Sequence, residues 1–182
     1  MRTLKLVSEN GNPARYDAQV LLAAIYRRER KPAEAISLLT GLIARFPRNY
    51  LFRLEAVQMH SDAGDKEQAL GALSHIEMLK RAGSPGFAEL PIEKIFCYRG
   101  NLLFWYNDFD GAVEQLRQAS QRPAGLDPHT AVMTWLRLGQ THDMRGKRKE
   151  ALDSYRRAIA VAPLSDAAKE SKSYLSSPYK RA

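Results

Sequence analysis
The feature that most constrains this chain is a spacing. Ala35, Ala69, Ala112 and Ala151 each open an amphipathic stretch, and they stand 34, 43 and 39 residues apart. Before each one lie a turn signal and another amphipathic stretch. Leu21, Leu22, Ile25 and Tyr26 recur at helical spacing ahead of the break at Lys31-Pro32, and Ala35, Ile36, Leu39, Leu42 and Ile43 recur after it. A helix near Tyr50 to His60 leads through Ser61–Asp65 to Ala69, Leu70, Leu73 and Ile76. A third pair is expected over 92–106 and 109–120, turning at Asn107-Asp108. The fourth is the clearest. Trp135, Leu138 and Gly139 share one face, Gly146 breaks the helix, Ala151, Tyr155 and Ala158 mark the second stripe, and Pro163 stops it. Small residues at Gly139, Ala151 and Ala158 let two helices approach closely. A lone helical hairpin cannot cover its apolar face, so the spacing predicts a stacked array. The extra residues fall in the Gly/Pro loops 82–86 and 121–128, where an array tolerates insertion.

This pattern resembles the tetratricopeptide repeat family, whose signature runs W-x₂-L-G-x₂-Y, then A-x₃-F, then P. The fourth hairpin carries Trp135, Leu138, Gly139, Ala151, Tyr155, Ala158 and Pro163, with His142 in place of the tyrosine. The first carries Leu22, Ala23, Tyr26, Ala35, Leu39 and Pro47, with Gln19 at the aromatic position. The third carries Phe96, Gly100, Leu103, Ala112, Leu116 and Ala119, with Arg99 at the leucine position. The second keeps Ala69 and Leu73 but has Arg53 and His60 at signature positions. The resemblance covers about residues 14 to 163. It implies an all-α fold, a right-handed α-solenoid of stacked antiparallel helix pairs, with repeats near 16–49, 50–83, 93–126 and 132–165. A polar helix over 166–175 would cap the open end, turning Tyr174 and Leu175 inward, and 177–182 would be a frayed tail. At the other end, Thr3–Val7 reads as a strand or the tail of a lost helix, and Asn10–Pro13 as a turn. Residues 1–13 either cover the first repeat or follow further repeats.

Composition narrows the function classes. The net charge is +8, but Lys and Arg exceed Asp and Glu by 9 to 4 over residues 1–50 and 6 to 3 over 151–182, with near balance between. Nucleic-acid binders concentrate charge on one face, so this distribution argues against nucleic acid. An acidic partner or an anionic surface stays open. No run has the roughly 18 apolar residues of a membrane span, and no signal peptide is visible near Met1. A whole chain of this kind is expected in the cytoplasm; a piece of a longer protein could stand elsewhere. His60, His75, His129 and His142 lack metal-ligand spacing. Cys97 has no evident histidine partner and reads as a buried, inert thiol. No phosphate loop or nucleophile motif is present, so neither catalysis nor a cofactor is expected.

The resemblance implies that the first helices of successive repeats line a concave groove taking a peptide or partner protein. By helical phase the groove positions are Val20, Ala24, Arg27 and Arg28; Glu55, Gln58 and Asp62; Lys94, Tyr98, Asn101 and Trp105; and Met133, Arg137, Gln140 and Met144. The candidate partner-binding set is Tyr98, Asn101, Phe104, Trp105, Arg137, Gln140 and Met144. Aromatic and arginine side chains are enriched at interface hot spots, and an asparagine can both donate to and accept from a peptide backbone. Against this, Phe104 and Trp105 could simply pack against a neighbouring repeat. The basic turns Arg27–Lys31 and Arg145–Lys149 read as solvated charge, or as a dock for nucleic acid or an anionic membrane. A regulatory module of a larger enzyme, or homodimerisation through an open solenoid end, would also suit such a scaffold.

Overall fold
The structure is a computed structural model that describes residues 2–9, 14–122 and 125–181. The turn expected at Asn10–Pro13 and part of the 121–128 loop lie outside the described residues. The chain divides into two compact units, residues 1–90 and 91–182. The first holds α1 (Arg2–Glu9), α2 (Arg15–Arg28), α3 (Pro32–Arg45), α4 (Tyr50–Asp62) and α5 (Lys66–Arg81). The second holds α6 (Ile92–Trp105), α7 (Phe109–Ser120), α8 (Pro128–Met144), α9 (Arg148–Val161) and α10 (Asp166–Ser176). Among the described residues there is no strand.

Thr3–Val7 is therefore helical, not extended. Leu4 of α1 packs against the core cluster of Leu22, Tyr26 and Leu39, Lys5 lies over the Tyr26 ring, and Gln19 Nε2 donates to the Ser8 carbonyl. These tertiary contacts supply what eight residues of helix propensity cannot.

The hairpin turns share one geometry. Arg30, Gly64, Asn107 and Gly146 all have φ between 57° and 79°. Each stands five residues before one of the four spaced alanines. In each turn the next residue's N–H closes back on the helix: Lys31 to the Tyr26 carbonyl, Asp65 to His60, Asp108 to Leu103 and Lys147 to His142. This six-to-one bond with a left-handed residue inside it is the Schellman stop. Asp65 and Asp108 then cap the next helix, their side chains accepting from Gln68 N and Gly111 N.

Within each unit the spaced alanines are fully buried where helices cross: Ala35, Ala69, Ala112 and Ala151 expose none of their surface. The close approach read from Gly139 is real. A Cβ there would run into the Tyr155 ring, and one at Gly100 would lie 2.6 Å from Leu116 Cγ. The long connection after α5 is not a bare loop, since Phe87 and Leu90 are buried and Phe87 stacks near Tyr50 in the first unit.

Candidate interaction face
In the second unit α8 packs against both α6 and α10, and their combined face carries the sequence-selected residues. Tyr98, Asn101 and Trp105 follow one another at three- and four-residue steps along α6, which puts them on one side of it. Trp105 is 47% exposed. The Arg137 guanidinium of α8 lies 4.4 Å from the Phe104 ring centroid and 4.8 Å from that of Trp105. It donates to Gln140 Oε1 at 2.8 Å, and Gln140 Nε2 donates to Glu170 Oε1 of α10 at 2.9 Å. Tyr174 donates its hydroxyl to the same Glu170 oxygen. Burial draws the Arg137 guanidinium below its usual range, partly offset by Tyr179 and Glu170.

Two of the selected positions are not open. Phe104 is fully buried, 0% exposed, and Gln140 is 3% exposed. Gln140 is closed off because it bridges α8 to α10. Phe104 is covered because the segment after α10 lies on it. Met144 is half-buried and packs on the cluster of Phe104 and Leu138. Tyr98 and Asn101 are also half-buried.

That covering segment replaces the expected frayed tail. From Ser177, with φ −130° and ψ 130°, the backbone leaves α10 extended. Tyr179 N–H donates to Asp143 Oδ2 at 2.8 Å, and its ring lies 5.9 Å from Phe104 and 5.4 Å from Tyr174. Arg181 donates to the Phe104 carbonyl at 2.6 Å and to Asn107 Oδ1. Its guanidinium sits 4.5 Å from the Phe104 ring, 5.0 Å from Trp105 and 5.7 Å from Phe109.

Asp143, which sequence reasoning passed over, is the anchor. Its side chain is 1% exposed. It accepts from Arg148 Nη1 at 3.0 and 3.1 Å, from the Tyr155 hydroxyl at 2.8 Å and from Tyr179 N. Burial, and then that hydrogen bond to the Asp143 carboxylate, push the Tyr155 phenol well up. Arg148 also donates to the Tyr174 and Leu175 carbonyls at the end of α10. Part of the basic turn Arg145–Lys149 is thus internal scaffolding, not solvated charge. Arg145 meets Asp110 at 2.6 Å.

The first unit has a cleft of its own, of about 610 Å³, lined by Ala24, Arg27, Arg28, Arg30 and Asp62, with Arg27 paired to Glu55 at 3.2 Å. Among the described residues no three metal-ligating side chains converge, and no helix is long and apolar enough to cross a membrane.

The sequence model of the tetratricopeptide repeat family matches residues 17–49 and 133–165. Those two segments match tetratricopeptide repeats. It is 24% identical over 148 residues, 81% of its length, to the BBSome complex member BBS4 homolog of Drosophila melanogaster, and it spans 28% of that protein. Among solved structures it is similar to a kinesin light chain protein of Podosopora anserina with nearly identical TPR-like repeats, at TM-score 0.66 and 17% identity over 91% of this chain and 86% of the other. BtubC (BKLC) from P. vanneervenii aligns at TM-score 0.63 and 16% identity, over 100% of this chain and 73% of that one. MamA aligns at TM-score 0.54 and 17% identity, over 85% and 90%. At these identities the likeness concerns the fold, a TPR-like helical solenoid.

The repeat signature explains two remaining residues. His142 takes the tyrosine position of the last matched segment and is buried, and its Nδ1 has no hydrogen-bond partner. Burial, with Arg117 next, holds its imidazole below the usual value and therefore neutral. Cys97, on α6, is buried, its Sγ 4.0 Å from the Thr130 carbonyl, and burial pushes its thiol up.

Proposed function
We propose that this chain is a non-catalytic interaction module that holds an extended peptide or partner segment across the α6, α8 and α10 face of its second unit. The observation that carries the reading is that this face already holds extended polypeptide, residues 177–181, through backbone and side-chain contacts of the kind a peptide ligand would make. The exposed Trp105 beside the Arg137 guanidinium supplies the residue types enriched at hot spots. Tyr98 and Asn101 extend the face along α6. TPR-type repeats commonly serve as protein-interaction scaffolds, and the fly relative bears the name of a complex member.

The test is a randomised peptide library probed with the intact chain and with a Trp105→Ala/Arg137→Ala variant that keeps wild-type helicity. Selected peptides should bind the wild type and lose at least roughly tenfold in affinity to the variant, as hot-spot losses of 1.4 kcal/mol or more imply. Undiminished binding by the folded variant would move the site elsewhere.

A further inference from the structure
The segment on this face has specific chemistry. It offers an aromatic ring at Tyr179 and a guanidinium two residues later at Arg181, and each meets a fitted receptor. The guanidinium enters a nest of Phe104, Trp105 and Phe109 rings and donates to the Phe104 carbonyl and Asn107 Oδ1. Those acceptors stand at the C-terminal end of α6, where the helix dipole favours a cation. Aromatic faces attract guanidinium groups further. The Tyr179 ring lies between Phe104 and Tyr174, while Asp143 takes the backbone N–H, a contact any extended residue can make.

The fit is also incomplete. Arg181 Nε and Arg137 Nε are both buried without a hydrogen-bond partner. The two guanidinium groups lie over the same two rings, where like charges repel. Ser177, Pro178 and Lys180 are exposed, so only Tyr179 and Arg181 tie the segment to the face, and a partner that displaces it must cover Phe104 again with its own aromatic residue and arginine. Trp105 stays half exposed even with the segment seated, so the face extends beyond what the segment covers.

We propose that residues 179–181 are a resident ligand, and that the partner is an extended polypeptide carrying an aromatic residue and, two positions later, an arginine, which displaces them. This rests on the reading of the face as peptide-binding and names its ligand chemistry and regulation. The resident segment sets a threshold. Being tethered, it competes at an effective concentration on the order of millimolar, so a partner must match its chemistry and make additional contacts to win.

The experiment uses the intact chain as wild type, Arg181→Lys and Tyr179→Ala/Arg181→Ala. The probe is a peptide of residues 174–181 with a blocked C-terminus, followed by calorimetry. The double variant, its site vacated, should bind the peptide saturably and at least about tenfold tighter than the wild type, with Arg181→Lys between them. Peptides with alanine in place of Tyr179 or of Arg181 should lose that binding. Equal affinity for wild type and double variant would overturn the proposal, as would no saturable binding by a double variant of unchanged helicity. If that variant binds library peptides of other chemistry through Trp105, the ligand assignment fails and the peptide-binding reading stands. If it binds no peptide at all, both fail. A wild-type dimer by light scattering that Arg181→Ala abolishes would assign the site to a second copy's segment and overturn the partner proposed.

Discussion
Replacing glycine by alanine inside a helix ordinarily stabilises it, by about 1 kcal/mol in an exposed interior. Here the sign should depend on the repeat signature. Gly41 of α3 and Gly71 of α5 are exposed, and a Cβ at either meets nothing within 4 Å. Gly139 of α8 faces Tyr155, whose ring would coincide with the new methyl group. That ring cannot swing aside cheaply, because it is fully buried and its hydroxyl donates to the buried Asp143 carboxylate. Relief requires α8 and α9 to separate, and overpacking of this kind costs about 1–3 kcal/mol. Losing the Tyr155–Asp143 hydrogen bond would add about 1–2 kcal/mol. Set against the propensity gain of about 1 kcal/mol, Gly139→Ala should destabilise by about 1–4 kcal/mol, while Gly41→Ala and Gly71→Ala each stabilise by about 0.5–1 kcal/mol. Gly100→Ala should destabilise as well, because the new Cβ would lie 2.6 Å from Cγ and 3.2 Å from the backbone N of the fully buried Leu116. Guanidinium denaturation followed by helical circular dichroism measures all four. A Gly139→Ala chain whose midpoint rises alongside that of Gly71→Ala would refute the claim that the signature glycine sets the inter-helix distance.

Other consequences can be measured directly. Arg30 is an arginine in the left-handed region at φ 57°, in the turn position that Gly64 and Gly146 fill elsewhere, so Arg30→Gly should raise stability by about 1 kcal/mol; a lower denaturation midpoint would count against this account of the turn. Asp143→Ala removes the acceptor for Arg148, Tyr155 and Tyr179, and should cost about 3 kcal/mol, the low end for breaking a buried pair because Arg148 still reaches solvent; a loss below about 1 kcal/mol in a denaturant titration would refute the anchor role. His142 is held neutral, its pKa lowered by burial and by Arg117, with Arg145 of the adjoining turn lowering it further and Asp143 and Glu150 opposing. The unfolded chain therefore takes the proton first, and the contribution of His142 is complete above about pH 6.5 and is lost progressively as pH falls below that value and through the lower folded pKa. His142→Phe should flatten the stability curve between about pH 7 and 5, and an unchanged slope would sink the assignment. Cys97 should resist a thiol reagent in the native chain and react once the chain is unfolded, and rapid native labelling would contradict its burial.

The fold was readable because its determinants are local and repeated. The spaced alanines, the signature glycine Gly139 and the turn residues all act within one hairpin, so each leaves a mark at fixed sequence distance. Two turns hid their geometry, since Arg30 and Asn107 adopt the conformation that Gly64 and Gly146 announce openly. The strand alternative for Thr3–Val7 arose because five residues cannot show whether the period is 2 or 3.6, and contact with Tyr26 and Gln19 decided it.

The candidate face was readable only as far as helical phase reaches. Phase placed Trp105 and Arg137 on neighbouring helices, and their cation–π contact at 4.8 Å follows from that placement. Phase could not separate Trp105 from Phe104, because neighbours on a helix lie only about 100° apart. What separates them is a segment whose contacts cross 74 and 77 residues of sequence, from Arg181 to Asn107 and to the Phe104 carbonyl. No local pattern encodes such a pairing. Pro178 blocks continuation of α10, and an aromatic and an arginine follow, which by composition alone is an ordinary polar end. The receptor makes it more than that. Asn107 takes the left-handed turn position that elsewhere calls for glycine, and in doing so presents an acceptor beside the Phe104 carbonyl that a glycine could not. Replacing Asn107 by glycine should therefore ease the turn and loosen Arg181 at the same position. A turn residue in this repeat thus bears on what the face can hold as well as on where the helix stops.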